Sequence, residues 1–178
     1  MSGFPSLKPA ITLRVKVGDT LPVGSFARGT PLAVVVKNMV LFKLDEILMI
    51  LKPMVEGTLI SEPGFEPSLD AKLAGGAYDF IRADPDGGHM RLDVRSQFKL
   101  LVAMYYKGVA AVTPDVQKVL SGAADAKTTD YGHSFITVEF ETGSEKYKAL
   151  ETAVFAAAGH FVLEDGAVSV EYKLSQVV

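Results

Sequence analysis

Four residues close together in the chain carry the groups needed for acid–base chemistry on a carbonyl compound: Asp79, Arg91, Asp93 and Arg95. An arginine presents a planar fork of donors that holds a carboxylate, phenolate or enolate oxygen. A neighbouring aspartate orients that fork or takes a proton as a general base. In a water-excluded site such a pair stabilises a developing oxyanion with no cofactor. Side chains in a strand alternate between its two faces. His89, Arg91, Asp93, Arg95 and Gln97 therefore share one face, with Met90, Leu92, Val94 and Phe98 on the other and Ser96 as the exception. Such a polar row is either a solvated outer face or the lining of a polar pocket, and alternation alone leaves both open.

Other residues extend this set. Glu141 shares a strand face with Thr137 and Glu139, which pairs two carboxylates for proton transfer or simply for solvation. Tyr106, with Tyr105, Tyr131, Tyr147 and Phe140, could line a ligand cavity, although aromatic side chains also fill β cores. His160 follows Ala156-Ala157-Ala158-Gly159 and shares a face with Val154, Ala156, Ala158 and Val162. It is a packed core histidine or a pocket wall. No two of His89, His133 and His160 have the spacing of a metal-binding pair. Asp84-Pro85-Asp86-Gly87-Gly88 lacks the further acidic positions of a calcium loop. It reads as a turn, because proline pre-sets one dihedral and glycine supplies positive φ. No metal and no cofactor is expected, and no phosphate loop or nucleophile elbow is present.

These groups must be positioned by strands. Alternation or short apolar runs mark Ile11–Val17, Pro31–Val36, Val55–Ile60, Ala77–Arg82, His89–Phe98, Leu100–Lys107, Ser134–Glu141, Ala153–Leu163 and Ala167–Leu174. Phe135 is out of phase with its strand. Thr113-Pro114-Asp115, then Val116, Val119 and Leu120, then Gly122, predict one short helix with both caps. Ser144–Leu150 predicts one or two further helical turns. Residues 37–52, KNMVLFKLDEILMILK, break the pattern: Leu44, Ile47, Leu48 and Leu51 suit a buried or pocket-covering helix. The alternative is an insertion or gene-model artefact, a translated intron whose removal would join Pro31–Val35 to Pro53–Gly57.

The chain has 178 residues, 48% of them hydrophobic and 22% charged, which suits one globular domain with its own core. A formal net charge of −3 gives no whole-molecule field that would favour nucleic acid. The absence of cysteine excludes disulfides, thiol nucleophiles and thiolate metal sites. No apolar run reaches the roughly 20 residues of a membrane span, and the first residues do not form a secretory signal. A cytoplasmic location is expected.

The order of several short segments resembles a known family. Gly76-Ala77-Tyr78-Asp79-Phe80, Asp86-Gly87, Arg91-Leu92-Asp93-Val94-Arg95 and Tyr106-Lys107-Gly108-Val109 come first. Phe140-Glu141-Thr142-Gly143-Ser144 with Tyr147 and Leu150 follows, then Val154-Phe155 and Ala158-Gly159. Together, over roughly Val55 to Leu174, they are similar to the family called domain of unknown function 3237. The resemblance implies a compact antiparallel barrel like that of allene oxide cyclase, and it implies no established reaction. Two departures stand out. Lys99-Leu100-Leu101 replaces the family's Asp-Gly turn, and residues 37–52 have no place in the pattern.

The expected fold is all-β: one antiparallel barrel of about eight strands with one or two short helices. The expected function is a cofactor-free isomerase or cyclase acting on a small hydrophobic, polyketide-like molecule. Asp79 or Glu141 would move the proton and Arg95 or Arg91 would hold the oxyanion. Asp93, Tyr106 and His160 would line the pocket. The alternatives are a non-catalytic carrier using the same cavity and an interaction module with a solid barrel. A homodimer is compatible with all three, and neither nucleic acid nor membrane is an expected partner.

Overall fold

A computed structural model describes residues 3–18, 32–33, 49–84 and 88–178. Its strands are β1 (Leu7–Val17), β2 (Leu32–Ala33), β3 (Met49–Ser61), β4 (Asp70–Ala83), β5 (His89–Phe98), β6 (Val102–Ala111), β7 (Ser134–Thr142), β8 (Phe155–Glu164) and β9 (Ala167–Val177). The sheet order is β1-β9-β8-β7-β6-β5-β4-β3-β2, and β1 also pairs with β3. That last pairing closes eight antiparallel strands into a barrel. The two-residue β2 adds a short parallel rung to the start of β3. Closure removes the open edges that a flat sheet of this length would expose. The β1–β9 pairing brings the two ends of the chain together, where the Ser6 amide donates to the Val178 carbonyl (2.7 Å) and the Val178 amide to the Ser6 carbonyl (2.9 Å).

Alternation sorts the side chains as a closed barrel requires. In β5, Met90, Leu92, Val94, Ser96 and Phe98 are buried, while Arg91, Arg95 and Gln97 are exposed. In β7, Ile136, Val138 and Phe140 point inward and Phe135 points outward, 53% exposed. Ser96, the polar exception on the inner face of β5, donates its hydroxyl to the Met104 carbonyl across the ladder (2.8 Å). A buried hydroxyl is tolerated there because its hydrogen bond is satisfied within the wall.

The two ends of the barrel differ. One end is filled by aromatic and aliphatic side chains. Phe155 packs edge-on against Phe140 (centroids 5.3 Å apart) and Phe65 (6.2 Å), and Leu69, Phe98, Tyr147 and Leu150 are buried around them. The 3-10 turn at Glu145–Leu150 supplies Tyr147 and Leu150 to this plug. Helix α1 (Pro114–Ser121) joins β6 to β7 at the opposite end. Thr113 caps it by accepting from the Val116 amide, Pro114 opens it, and Gly122 ends it at φ 63° in the left-handed region that glycine adopts without steric cost. Its moderate apolar stripe buries Val116 and Val119.

The sequence expectations agree on fold class and on both helical segments. Of the segment 37–52, residues 37–48 lie outside the described residues. Met49 to Lys52 are strand, paired with Arg82 to Asp79 of β4, not the end of a helix. Their cross-strand hydrogen bonding outweighs a helical periodicity carried by a few leucines. The expected strand at Pro31–Val36 falls on described residues only at Leu32 and Ala33. The turn residues 85–87 are also outside the described set, but the Asp84 amide donates to the His89 carbonyl (2.9 Å) as a reversing chain requires.

Candidate functional site

The functional candidates divide between the two sides of the barrel wall. Asp79 points inward from β4 and is 7% exposed. Tyr106 from β6 and Tyr172 from β9 point inward beside it, each 2% exposed. Their ring centroids are 5.5 Å apart with planes inclined at 52°. The Tyr172 and Ser134 hydroxyls share a hydrogen bond of 3.0 Å inside the barrel. These groups border a cavity of about 40 Å³ at the end opposite the aromatic plug. Val17, Met54, Met90, Leu120 and Val170 form much of its apolar wall. Each water occupies about 10–15 Å³ of such space, so the cavity admits the reacting end of a molecule rather than a whole drug-sized ligand.

The electrostatics of this end follow from burial. Desolvation, then the negative charge of Asp79, then Tyr172, hold the Tyr106 phenol well above its ordinary pKa. Desolvation raises Tyr172 as well, against the opposing effect of its hydrogen bond to Ser134, and Asp79 raises it further. Both phenols are therefore neutral donors at any ordinary pH. A carboxylate bordering the same cavity as neutral phenols can accept a proton while a phenol O–H holds an oxygen on which charge develops.

The remaining predicted residues are elsewhere. Arg95 is exposed on the outer face of β5, and Glu141 is exposed on the outer face of β7. Glu141 there accepts a hydrogen bond from the Tyr105 hydroxyl (3.0 Å), which raises the Tyr105 pKa. Arg91 is also outside, its guanidinium on Asp84 through two contacts of 3.1 Å, and Asp93 lies half-buried on the same outer face. The expected pairing of Asp79 with Arg95 or Arg91 is thus corrected, because the backbone wall separates them, while Glu141, the alternative proton carrier, shares the outer side with Arg95. The cause is the pleat: Tyr78 faces Arg95 across the β4–β5 ladder and Asp79 faces Val94, so consecutive residues point to opposite sides.

His160 also departs from a simple pocket role. It borders the cavity, but its ring is held on other partners. Nδ1 lies 2.7 Å from the Thr129 carbonyl, the ring stacks on Tyr131 at 4.0 Å, and Nε2 is 3.7 Å from Glu171. Of the expected inner set, Asp79 and Tyr106 come together. Ser134 and Tyr172 complete it and were not singled out from sequence. The available signal was a hydroxyl-bearing residue in phase with the apolar face of its strand: Tyr172 between Val170 and Leu174, and Ser134 before Ile136. Among the described residues, no three carboxylates or histidines converge as a metal site, and no helix is long and apolar enough to cross a membrane.

A closed eight-stranded antiparallel barrel with an acid and two phenols in one end defines the class: a small all-β barrel protein with an apolar inner chamber bordered by a few polar groups. The chain belongs to the family described as protein of unknown function DUF3237, which matches it over residues 5–177. No curated protein matches its sequence. Its fold is similar to that of a conserved protein of unknown function from Rhodopseudomonas palustris (TM-score 0.68, 16% identity, all of both chains covered). It is similar to a beta-barrel like protein from Acinetobacter baumannii (TM-score 0.64, 17% identity, 100% of this chain and 99% of that one). An enzyme from Penicillium herquei shares the fold more distantly (TM-score 0.53, 15% identity, 98% and 95% covered).

Proposed function

We propose that this protein is an acid–base catalyst, an isomerase or cyclase that acts on one end of a small, mainly apolar molecule at the Asp79 end of the barrel. The observation that carries the proposal is a carboxylate buried beside two phenols that burial keeps protonated. Asp79 takes a proton from carbon next to a carbonyl, or from a hydroxyl about to add to a double bond. The Tyr106 or Tyr172 O–H holds the oxygen that becomes negative. The same proton returns to a different atom, so the step balances with no co-reactant. The apolar remainder of the molecule extends past Val17, Leu120 and Val170, which favour hydrocarbon over water. A barrel of this kind accommodates catalysis elsewhere, since the Penicillium herquei neighbour is described as an enzyme, although the likeness is one of fold. The cytosol is the proposed place of action.

Small molecules that co-purify with the protein supply the test. They are extracted, identified by mass spectrometry and returned to the wild type, Asp79→Asn and Tyr106→Phe. Conversion by the wild type with binding but about 100-fold or more slower conversion by Asp79→Asn supports the proposal. Tight binding without conversion by any of the three makes the barrel a carrier. Equal conversion by the wild type and Asp79→Asn removes Asp79 from the chemistry.

A further inference from the structure

The outer face of β5, β6 and β7 carries a charge pattern that is complementary to itself. The ladder registers place outward side chains in four rungs across these strands. They are Arg91–Val109–Phe135, then Asp93–Lys107–Thr137, then Arg95–Tyr105–Glu139, then Gln97–Ala103–Glu141. Arg82 of β4 faces Arg91 and extends the first rung. The first rung is therefore cationic, the two middle rungs each carry one charge of either sign, and the last is anionic. Among the described residues, no salt bridge engages Asp93, Lys107, Arg95 or Glu139. Lys107, Arg95 and Glu139 are exposed. The face is not uniformly polar either: Phe135 is 53% exposed at its upper end.

We infer that this face is the contact between two copies of the chain. A two-fold axis lying in the contact, across the strands, inverts the order of the rungs and leaves each strand facing itself. With the axis between the second and third rungs, Asp93 meets the partner's Arg95 and Arg95 meets the partner's Asp93. Lys107 meets the partner's Tyr105 beside the partner's Glu139. The first rung meets the partner's fourth, with Arg91 opposite the partner's Gln97 and Phe135 opposite the partner's Glu141. Asp93, Arg95, Lys107 and Glu139, which have no salt bridge in one copy, thereby each gain an opposite charge in the other, and complementarity of this kind sets register and excludes wrong partners. The three strands, about 4.8 Å apart, and the four rungs, about 6.8 Å apart, give roughly 400 Å² in plan. That is about half of the ~800 Å² per partner of a standard interface, so the dimer is expected to be weak.

Charge reversal tests the contact directly. Sedimentation equilibrium compares the wild type, Asp93→Arg, Arg95→Asp and the double variant, up to about 100 μM protein. Circular dichroism and thermal unfolding accompany each, and outward residues leave the core untouched. The two-fold repeats each substitution, so either single variant is expected to weaken the dimer at least tenfold. The double variant restores an opposite-charge pair and is expected to recover most of the affinity. A monomeric wild type over the whole range overturns the inference. So does a dimer indifferent to both single changes, or a double variant no better than the singles.

Discussion

The ring of Tyr172 lies flat against Gly159. A Cβ built on Gly159 would stand 2.2 Å from Cε1 and 2.4 Å from Cδ1 of Tyr172, far inside van der Waals contact. Gly159 faces Tyr172 across the β8–β9 ladder and Ser134 across the β7–β8 ladder. The missing side chain is what lets the phenol cross the β8 backbone and reach the Ser134 hydroxyl. Gly159→Ala is expected to force the ring away and to destabilise the protein by about 1–3 kcal/mol, the usual cost of overpacking a filled site. Urea denaturation reads this, and combining the change with Tyr172→Ala should recover part of the loss. An unchanged midpoint for Gly159→Ala would mean that the ring does not rest there.

Alkaline pH should weaken the fold. Tyr106 and Tyr172 have folded-state pKa values raised above those of the unfolded chain. Their contribution is fully present below about pH 10 and is lost as pH rises through the folded values, because only the unfolded chain releases the phenolic protons. Each tyrosine adds a downward slope of about 1.4 kcal/mol per pH unit in that window. Thermal unfolding between pH 8 and the alkaline limit should therefore fall more gently for Tyr106→Phe than for the wild type. Parallel curves would contradict the burial assigned to Tyr106.

The β5–β6 turn carries avoidable strain. Leu100 and Leu101 both have positive φ, 73° and 61°, where a side-chain-bearing residue costs roughly 1–2 kcal/mol. They are 43% and 66% exposed, so they gain little burial in exchange. The Gln97 amide holds the turn by donating to the Phe98 and Val102 carbonyls (3.1 and 3.2 Å). Replacing the pair by Asn-Gly, the residues suited to two positive φ values, should stabilise the barrel by about 1 kcal/mol once the greater freedom of unfolded glycine is counted. A higher denaturation midpoint is the expected result, and a lower one would show the leucines packing against something after all.

The aromatic plug should dominate stability. Phe155 is 1% exposed and touches both Phe65 and Phe140 edge-on. Phe155→Ala removes those contacts and leaves a cavity that a closed barrel cannot collapse, for an expected loss of about 3–5 kcal/mol. The Asp79 chamber lies at the other end, so a folded Phe155→Leu variant should keep its ligand binding. Loss of binding in a variant of near-normal stability would tie the two ends together.

Much of this architecture was legible in the residues. Period-two alternation located β5 and β7 to within a residue and the start of β9, which runs three residues further, and Thr113, Pro114 and Gly122 marked the ends of α1. The Lys99-Leu100-Leu101 departure from an Asp-Gly turn was visible as an oddity, and the hairpin forms regardless, with the strain held in two leucines. Met49 to Lys52 end the segment 37–52 as strand although its leucines have helical spacing, because a short apolar run suits either element. Tyr172 and Ser134 carry no separate sequence signal, because each stands in phase with the apolar face of its strand.

Local sequence by itself determined which residues share a face: Arg91, Asp93 and Arg95 together, Met90, Leu92 and Val94 together. That follows from the pleat and needs no partner strand. Only the tertiary structure decided which face is inside, because the pairing of β1 with β3 closes the sheet and gives each strand one dry side and one wet side. Closure put Asp79 in the dry chamber with Tyr106, and it left Arg95, one cross-strand position from Asp79, in water on the far side of the wall.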